Sequence, residues 1–322
     1  MQQILSTILD KEVNHSKYSN FSDEEIGSPR AGSATFASTL ARGLSLISAF
    51  RPGEICLGNA ELARRCQLTR PTVARLAATL VEMGYLRHGP GAKYRLGLRL
   101  LAMIHPLLSG MAFRQAVRPI MKDLSDYARG AVNIAALDGP YAVFVETCVG
   151  PEPHPLTPDV GTTSLLVHTA AGRALLAQLS DEELTATYLQ MEQIDSELMA
   201  RYRTTAEREV QRVRESGYAL SLGDYRSDVH VVGVPLGRSA SGELLSLNCS
   251  VPLYRLAPDS LVRDLAPRTL SAARAIGELV RTQAAPTNIA DSKDKRTTGA
   301  STLRPHPQPS SPKRQRDRRV EP

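Results

Sequence analysis

The stretch between residues 59 and 97 constrains the fold most, because it places two helices, a tight turn and a β-hairpin in close succession. In its first part, NAELARRC, Asn59 is a candidate helix N-cap, and Leu62 and Cys66 share one helical face. A short turn follows, in which Thr69 can cap the next helix. Two helices joined by so short a turn pack across each other, so the pattern predicts a helix-turn-helix.

The second helix of this pair carries an apolar stripe with the spacing of one helical face. Its members are Val73, Leu76, Leu80 and Met83. Gly84 stops the helix, and two strand-like runs then flank a tip rich in glycine and proline at residues 88–92. With a further amphipathic helix predicted before residue 51, this is the element order of a winged helix-turn-helix.

The outer face of the second helix predicts contacts with DNA. A helix fits the major groove, where arginine pairs with guanine and threonine touches a thymine methyl group, while basic groups of a hairpin neutralise phosphates. The predicted DNA-contacting residues are Thr69, Arg70, Thr72, Ala74, Arg75, Thr79, Arg87, His88, Lys93 and Arg95. Two alternatives stay open: the module binds another protein, or Arg75 pairs internally and structures the motif.

The charge distribution agrees with a polyanionic partner for this module alone. Residues 36–97 contain nine arginines and lysines against three glutamates, whereas residues 98–283 carry a net charge of −3. A basic module beside a mildly acidic body indicates that only the first part meets nucleic acid. Aromatic residues form 5% of the chain and tryptophan is absent, which argues against a stacking platform for single strands.

The run from residue 59 to residue 97 resembles the DNA-binding domain of IclR-type regulators. The positions that carry the resemblance are Glu61, Ala63, Leu68, Thr72, Val73, Arg75, Leu76, Leu80, Gly84, Tyr85, Tyr94, Leu96 and Gly97. It continues through AVNIAALDGPYAVFVETC and VGTTSLLVHTAAGRALLAQLSDEEL to VHVVGVPLGRSASGELLSLNCSVPLYRL. The resemblance implies an α+β chain: an N-terminal winged helix-turn-helix, joined by a linking helix to a GAF-like antiparallel α/β sensor domain that holds a small effector.

The chain is expected to divide into five parts. These are a flexible leader (1–34), the winged helix-turn-helix (35–97), the linking helix (98–112), the effector-binding domain (113–283) and a disordered basic tail (284–322). The linking helix carries an apolar stripe at Leu98, Leu101, Ile104 and Leu108. That stripe is either a dimer seam or a packing face buried within the chain.

The resemblance implies an effector site at positions that are partly individual to this chain. These positions are Gly161, Thr162, Thr163, Val231, Asn248 and Ser250. The turn at residues 161–163, followed by a helix start, is expected to hold a carboxylate through its N–H groups and hydroxyls. The family often has Cys at the position of Val231, an acidic residue at that of Ser221 and Ser at that of Asn248. Arg226 either meets an anionic effector or forms a surface ion pair.

The sequence contains no motif of catalysis. It lacks G-x-S-x-G, HExxH and a glycine-rich phosphate loop, so no catalytic residue and no cofactor are predicted. The histidines at 154, 168 and 230 and the four scattered cysteines match no metal-ligand spacing, so no metal is predicted, although a metal-dependent enzyme stays an alternative.

These observations predict a regulator rather than an enzyme. With no signal peptide and no run of about 18 apolar residues, a cytoplasmic protein without membrane contact is expected. The predicted function is a DNA-binding transcriptional regulator. The expected partners are a near-palindromic double-stranded operator, a small organic effector such as an organic acid or aromatic catabolite, and further copies of the chain in a homodimer or homotetramer.

Overall fold

The computed structural model describes residues 36–151 and 157–282. The predicted leader (1–34), the tail (284–322) and His154 lie outside the described residues. The first elements are α1 (Ser38–Ser48), β1 (Leu57–Gly58), α2 (Asn59–Arg65), α3 (Arg70–Glu82), β2 (Leu86–His88) and β3 (Lys93–Leu96). They confirm the predicted order of helix, short helix, turn, longer helix and hairpin.

The first module closes around a small core in which all three helices meet. The inner faces contribute Leu46, Leu62, Val73, Leu76, Leu80 and Leu86. Two sequence expectations need correction here. Gly58, not Asn59, is the N-cap of α2, and the Asn59 amide instead donates to the Arg70 carbonyl at 3.3 Å, which ties α2 to α3. Met83 is half exposed because it lies past the last turn of α3, where no other helix covers it.

The second part begins with two helices and is built on one large sheet. The helices are α4 (Arg99–Gly110), α5 (Phe113–Ala128), α6 (Ala170–Leu176), α7 (Asp181–Ile194), α8 (Ser196–Ser216) and α9 (Ala266–Thr282). The strands are β4 (Ala131–Asp138), β5 (Tyr141–Val149), β6 (Thr163–Leu165), β7 (Ala219–Leu222), β8 (Val229–Arg238) and β9 (Leu244–Pro252). All neighbours pair antiparallel in the order β6-β5-β4-β9-β8-β7.

Alternation along the strands gives this sheet two covered faces. In β4, Val132 and Ile134 join the core formed with α5 and α9, whereas Ala135 joins the core formed with α6, α7 and α8. Because successive side chains point to opposite faces, Asn133 lies on the same face as Ala135. The sheet is therefore a layer between two sets of helices, and polar residues on the α6 face are enclosed.

Helix α6 approaches the sheet closely because small residues line its contact. A Cβ atom at Gly233 of β8 would lie 2.2 Å from the Ala170 carbonyl oxygen, and one at Gly172 would lie 2.2 Å from the Leu166 carbonyl oxygen. Such distances are sterically forbidden, so glycine is required at both positions. Thr169 caps α6 by accepting a hydrogen bond from the Gly172 amide at 3.0 Å. The N-terminus of α6 is thus fixed against the sheet.

The linking helix α4 buries none of its residues. Leu98, Leu101 and Ile104 are 65%, 64% and 44% exposed. Of the two roles predicted for its apolar stripe, packing within the chain is not observed among the described residues. No single helix of residues 36–151 and 157–282 is long and apolar enough to span a membrane; only α4 and α5 taken together, bent by 83°, reach that length and composition.

Candidate functional site

The outer face of α3 is the first candidate site. Arg70, Arg75 and Thr79 are exposed on it, opposite the buried stripe, and Ala74 lies half-buried at its edge. The Thr69 hydroxyl caps the helix by accepting from the Thr72 amide at 3.4 Å, and the two hydroxyl oxygens lie 2.8 Å apart. These two threonines therefore shape the start of the helix, while the arginines and Thr79 form its accessible surface.

Two of the three carboxylates in the first module are neutralised internally. The Arg65 guanidinium contacts Glu54 and Glu61, each at 2.6 Å, and donates to the Ala49 carbonyl at 2.8 Å. Hydrogen bonds from Arg64 and Arg65 lower the pKa of Glu61 to about 2. Arg75, in contrast, makes no ion pair with any residue the structure describes. The predicted alternative, internal pairing of Arg75, is therefore not observed.

The hairpin presents a second set of basic side chains. Arg87, His88, Lys93 and Arg95 are all exposed. Arg87 and Arg95 lie directly opposite each other in the β2–β3 register. Like charges in such cross-strand pairs repel, and an anion beside them removes that penalty. The hairpin is therefore suited to a phosphate backbone.

The second candidate site is a cavity of about 500 Å³, including solvent at its mouth, on the α6 face of the large sheet. Its polar wall consists of Asn133, Thr169, Ser221, Arg226, Asn248 and Ser250. Its remaining wall consists of Phe144, Pro158, Ala170, Ala171, Tyr225, Val229 and Val231. An apolar enclosure with a few polar groups is the usual form of a small-molecule site.

The cavity contains only half of the residues predicted for the effector site. Val231, Asn248 and Ser250 line it, whereas Gly161, Thr162 and Thr163 do not. The Gly161 amide donates to the Phe144 carbonyl at 2.8 Å and the Thr162 amide to the Asp159 carbonyl at 3.0 Å. These two N–H groups are therefore already bonded within the chain, and the next α-helix begins only at Ala170, so the geometry expected for a carboxylate clamp is not observed at this turn.

Sequence reasoning missed the contribution of β4 to the cavity. Asn133 lies in its floor, fully buried. The available signal was a single polar residue inside the otherwise apolar run AVNIAA, which marks a buried polar position on a covered sheet. Arg226 pairs with Asp228 at 3.0 Å, as one of its two predicted roles requires, and it also lines the cavity; contact with an anionic effector stays a prediction.

A buried arginine holds the loop that carries Tyr225 and Arg226. The Arg173 guanidinium, fully buried in α6, contacts Asp224 at 2.6 Å and donates to the Leu220 carbonyl at 2.7 Å. The Tyr202 hydroxyl donates to the Asp224 carbonyl at 2.8 Å. One wall of the cavity is therefore anchored to α6 and α8 through charge-assisted hydrogen bonds.

The residues considered for a metal site do not converge. Cys148 and Cys249 lie in the core against α5 and α9, whereas His168 is buried on the α6 side of the sheet. Burial raises the pKa of the Cys249 thiol to about 12 and, together with the nearby Arg173 charge, lowers the pKa of His168 to about 3. Within residues 36–151 and 157–282 no three potential ligands cluster.

A winged helix with a basic outer face, followed by a sheet domain with a small-molecule cavity, defines a ligand-responsive transcriptional regulator. The model for the bacterial transcriptional regulator IclR C-terminal domain matches residues 105–278, and that for the IclR helix-turn-helix domain matches residues 39–90. The chain belongs to the IclR family.

Individual proteins extend this similarity. The Pca regulon regulatory protein of Pseudomonas putida is 28% identical over 251 residues, 76% of this chain and 84% of that protein. The crystal structure of an IclR family regulator from Brucella abortus has a TM-score of 0.70 and 32% identity, covering 79% of this chain and 96% of that one. An IclR homologue from Microbacterium hydrocarbonoxydans, solved with 4-hydroxybenzoate, shares the fold at a TM-score of 0.61 and 20% identity, covering 76% of this chain and all of that one.

Proposed function

We propose that this regulator recognises a near-palindromic double-stranded operator through α3 and the hairpin. The observation that carries the proposal is the charge state of the first module. Glu54 and Glu61 are tied to Arg64 and Arg65, so the accessible face of α3 presents uncompensated arginines. Arg70 and the α3 residues at 74, 75 and 79 would read bases in the major groove, and the hairpin cations would contact phosphates.

The operator-binding unit is a homodimer, or a tetramer built from two dimers. The exposed apolar surface of α4 supports this assembly, because a soluble chain rarely leaves so many large apolar side chains uncovered on one helix. A twofold protein places two copies of α3 about one helical turn of DNA apart, which accounts for a near-palindromic operator.

The cavity on the large sheet holds a small organic effector that changes operator binding. Its enclosed position and mixed lining support this role, as does the related protein that binds 4-hydroxybenzoate. An effector with different affinities for two quaternary arrangements shifts the fraction of chains that can bind the operator. The protein acts in the cytoplasm and catalyses no reaction; the cavity lining among the described residues contains no cysteine or histidine, which favours a binding role.

A titration with footprinting tests the proposal. The DNA upstream of the gene and its neighbours is titrated at two salt concentrations. We expect a protected near-palindromic site whose affinity falls steeply with salt, since each phosphate contact releases counterions. Absence of any protected site, or affinity that does not respond to salt, would instead support a winged helix that binds another protein.

A further inference from the structure

The floor of the cavity contains two adjacent carboxamides. Asn133 on β4 and Asn248 on β9 are direct register partners, so their side chains stand next to each other on the same face of the sheet. Asn133 is fully buried and Asn248 is 5% exposed, and both line the cavity. A paired polar site thus lies at the centre of an otherwise largely apolar enclosure.

These carboxamides have no hydrogen-bond partner in the part of the chain that the structure describes. Both polar atoms of Asn133 and the side-chain oxygen of Asn248 are buried and unpaired. Buried polar groups in proteins are almost always paired, and leaving one unpaired is costly. The two asparagines therefore require an occupant of the cavity to complete their hydrogen bonds.

The neighbouring hydroxyls on the same face do not have this need. Ser250 donates to the Ala131 carbonyl at 3.2 Å, Ser246 to the Ala171 carbonyl at 3.1 Å, and Thr147 to the Pro158 carbonyl at 3.3 Å. Among the cavity-lining residues of β4, β5 and β9, the buried polar atoms without a partner belong to the asparagine pair. Positions around the pair are structural, and the pair itself is available to a ligand.

The chemistry of a carboxamide pair restricts what can bind. Each side chain offers an acceptor oxygen and a donor NH₂ group, and rotating the amide exchanges their positions without removing either need. A carboxylate only accepts, so it would satisfy the NH₂ groups and leave both oxygens unpaired. A hydroxyl both donates and accepts, so it satisfies one side-chain oxygen together with the NH₂ groups, and the two N–H bonds of a carboxamide can satisfy both oxygens.

We infer that Asn133 and Asn248 form the subsite that selects the effector, and that this subsite takes a neutral group that both donates and accepts hydrogen bonds, such as a hydroxyl. The inference rests on the proposed effector role of the cavity and specifies its ligand. Arg226 lies in the loop at residues 224–228, so an effector with an acidic end places that end against Arg226 and its hydroxyl on the asparagines.

The test uses two pairs of probes in which only a hydroxyl and a methyl group differ. Phenol is compared with toluene, and 4-hydroxybenzoate with 4-methylbenzoate, by ligand-observed NMR on the full chain at millimolar concentrations. The second pair adds an anionic end for Arg226. We expect the probe with the hydroxyl group to have a dissociation constant at least about tenfold lower than its methyl counterpart, because the methyl group leaves the asparagines unpaired.

Substitutions connect that preference to the asparagines. In the double variant Asn133→Leu/Asn248→Leu, which has side chains of similar size without polar atoms, the hydroxyl preference should vanish or reverse. The midpoint of thermal unfolding without ligand should not fall, whereas a purely structural role for the pair predicts a fall. Asn248→Ala alone should reduce the preference partially. Thr147→Val, which removes an already paired hydroxyl beside the site, is the matched control and should keep the preference.

The outcomes separate this inference from the proposed function. The inference is overturned if the methyl probes bind the unmodified chain as tightly as the hydroxyl probes, if no probe binds, or if the double variant keeps the preference. Operator footprinting of the same preparations reports on the proposed function independently. A protected operator combined with no preference for hydroxyl probes would therefore refute the asparagine subsite but support the proposed function as a DNA-binding regulator.

Discussion

Replacing Arg75 by alanine separates base reading from phosphate attraction. Arg75 is exposed on α3 and makes no ion pair with the described residues, and alanine is the best helix former, so the fold should be unaffected. The hydrogen bond from Thr79 goes to the Arg75 backbone carbonyl at 3.3 Å and survives the substitution. Any loss of DNA binding then reports on the DNA contact alone.

The expected size of the loss follows from the geometry. A bidentate arginine–guanine contact discriminates by about 1–3 kcal/mol, and a dimer makes it twice, so operator affinity should fall by about 2–6 kcal/mol. That is roughly 30-fold to 10⁴-fold. Affinity for unrelated DNA should change little. Lys93→Ala in the hairpin should instead weaken all sequences and reduce the salt slope of the dimer by about 1.8, because each protomer loses one phosphate contact.

The assay is a fluorescence anisotropy titration of operator and scrambled duplexes at several salt concentrations. Lys122→Ala, which removes one positive charge from α5 outside the first module, serves as the charge-matched control and should leave both affinities unchanged. Normal operator binding by Arg75→Ala would refute base reading by Arg75. A parallel loss of affinity for operator and scrambled DNA with a smaller salt slope would also refute it, since Arg75 would then contact phosphate.

Three further outcomes are expected. Burial lowers the pKa of His168 to about 3, against 6.5 for an exposed histidine, so the free energy of unfolding is full above pH 6.5 and falls as the pH drops toward 3. By pH 5 the unmodified chain should have lost about 2 kcal/mol, measured by urea unfolding, and His168→Leu should lose less over the same range. Arg65→Ala should destabilise the first module by about 2 kcal/mol in the same assay, whereas Arg64→Ala, with a 69% exposed side chain on the same Glu61, should have a much smaller effect because solvent screens that pair. Leu101→Glu should convert the oligomer to smaller species in light scattering, while Met103→Glu, the same kind of change on the opposite side of α4, should not; an unchanged mass for Leu101→Glu would place the assembly surface elsewhere.

The DNA-binding module was predictable because its information is local. The spacing of Val73, Leu76 and Leu80 identifies the buried side of one helix, and the opposite side is then exposed by geometry alone. Thr69 was recognisable as a helix cap because that signal is also local: a threonine directly before the first residue of the helix. Met83 was not predictable in this way: periodicity extends an apolar stripe along a helix, but the position of the other helices decides which part of the stripe is covered.

The cavity proposed for the effector was only partly predictable because its residues come from distant strands. Val231, Asn248 and Ser250 were reached through a family resemblance, and the same resemblance led to a turn at residues 161–163 whose N–H groups are already bonded. Asn133 meets Asn248 only through the pairing of β4 with β9. No local pattern encodes that register, so the sequence could not show that the two carboxamides are neighbours.

Arg173, which holds the loop beside the cavity, is another residue whose position sequence periodicity does not predict. An arginine in the short run AAGRALL is normally expected on a surface, but α6 has no exposed side: the sheet covers one face and α8 packs against another. The guanidinium is buried and is compensated by Asp224 and two backbone carbonyls contributed by separate segments. A buried charge is tolerated only when it is paired and hydrogen-bonded, so the positions of Asp224 and the two carbonyls depend on the position of α6. The two residues after Asp224 line the cavity, so this pairing connects one wall of the cavity to α6, and sequence periodicity does not reveal it.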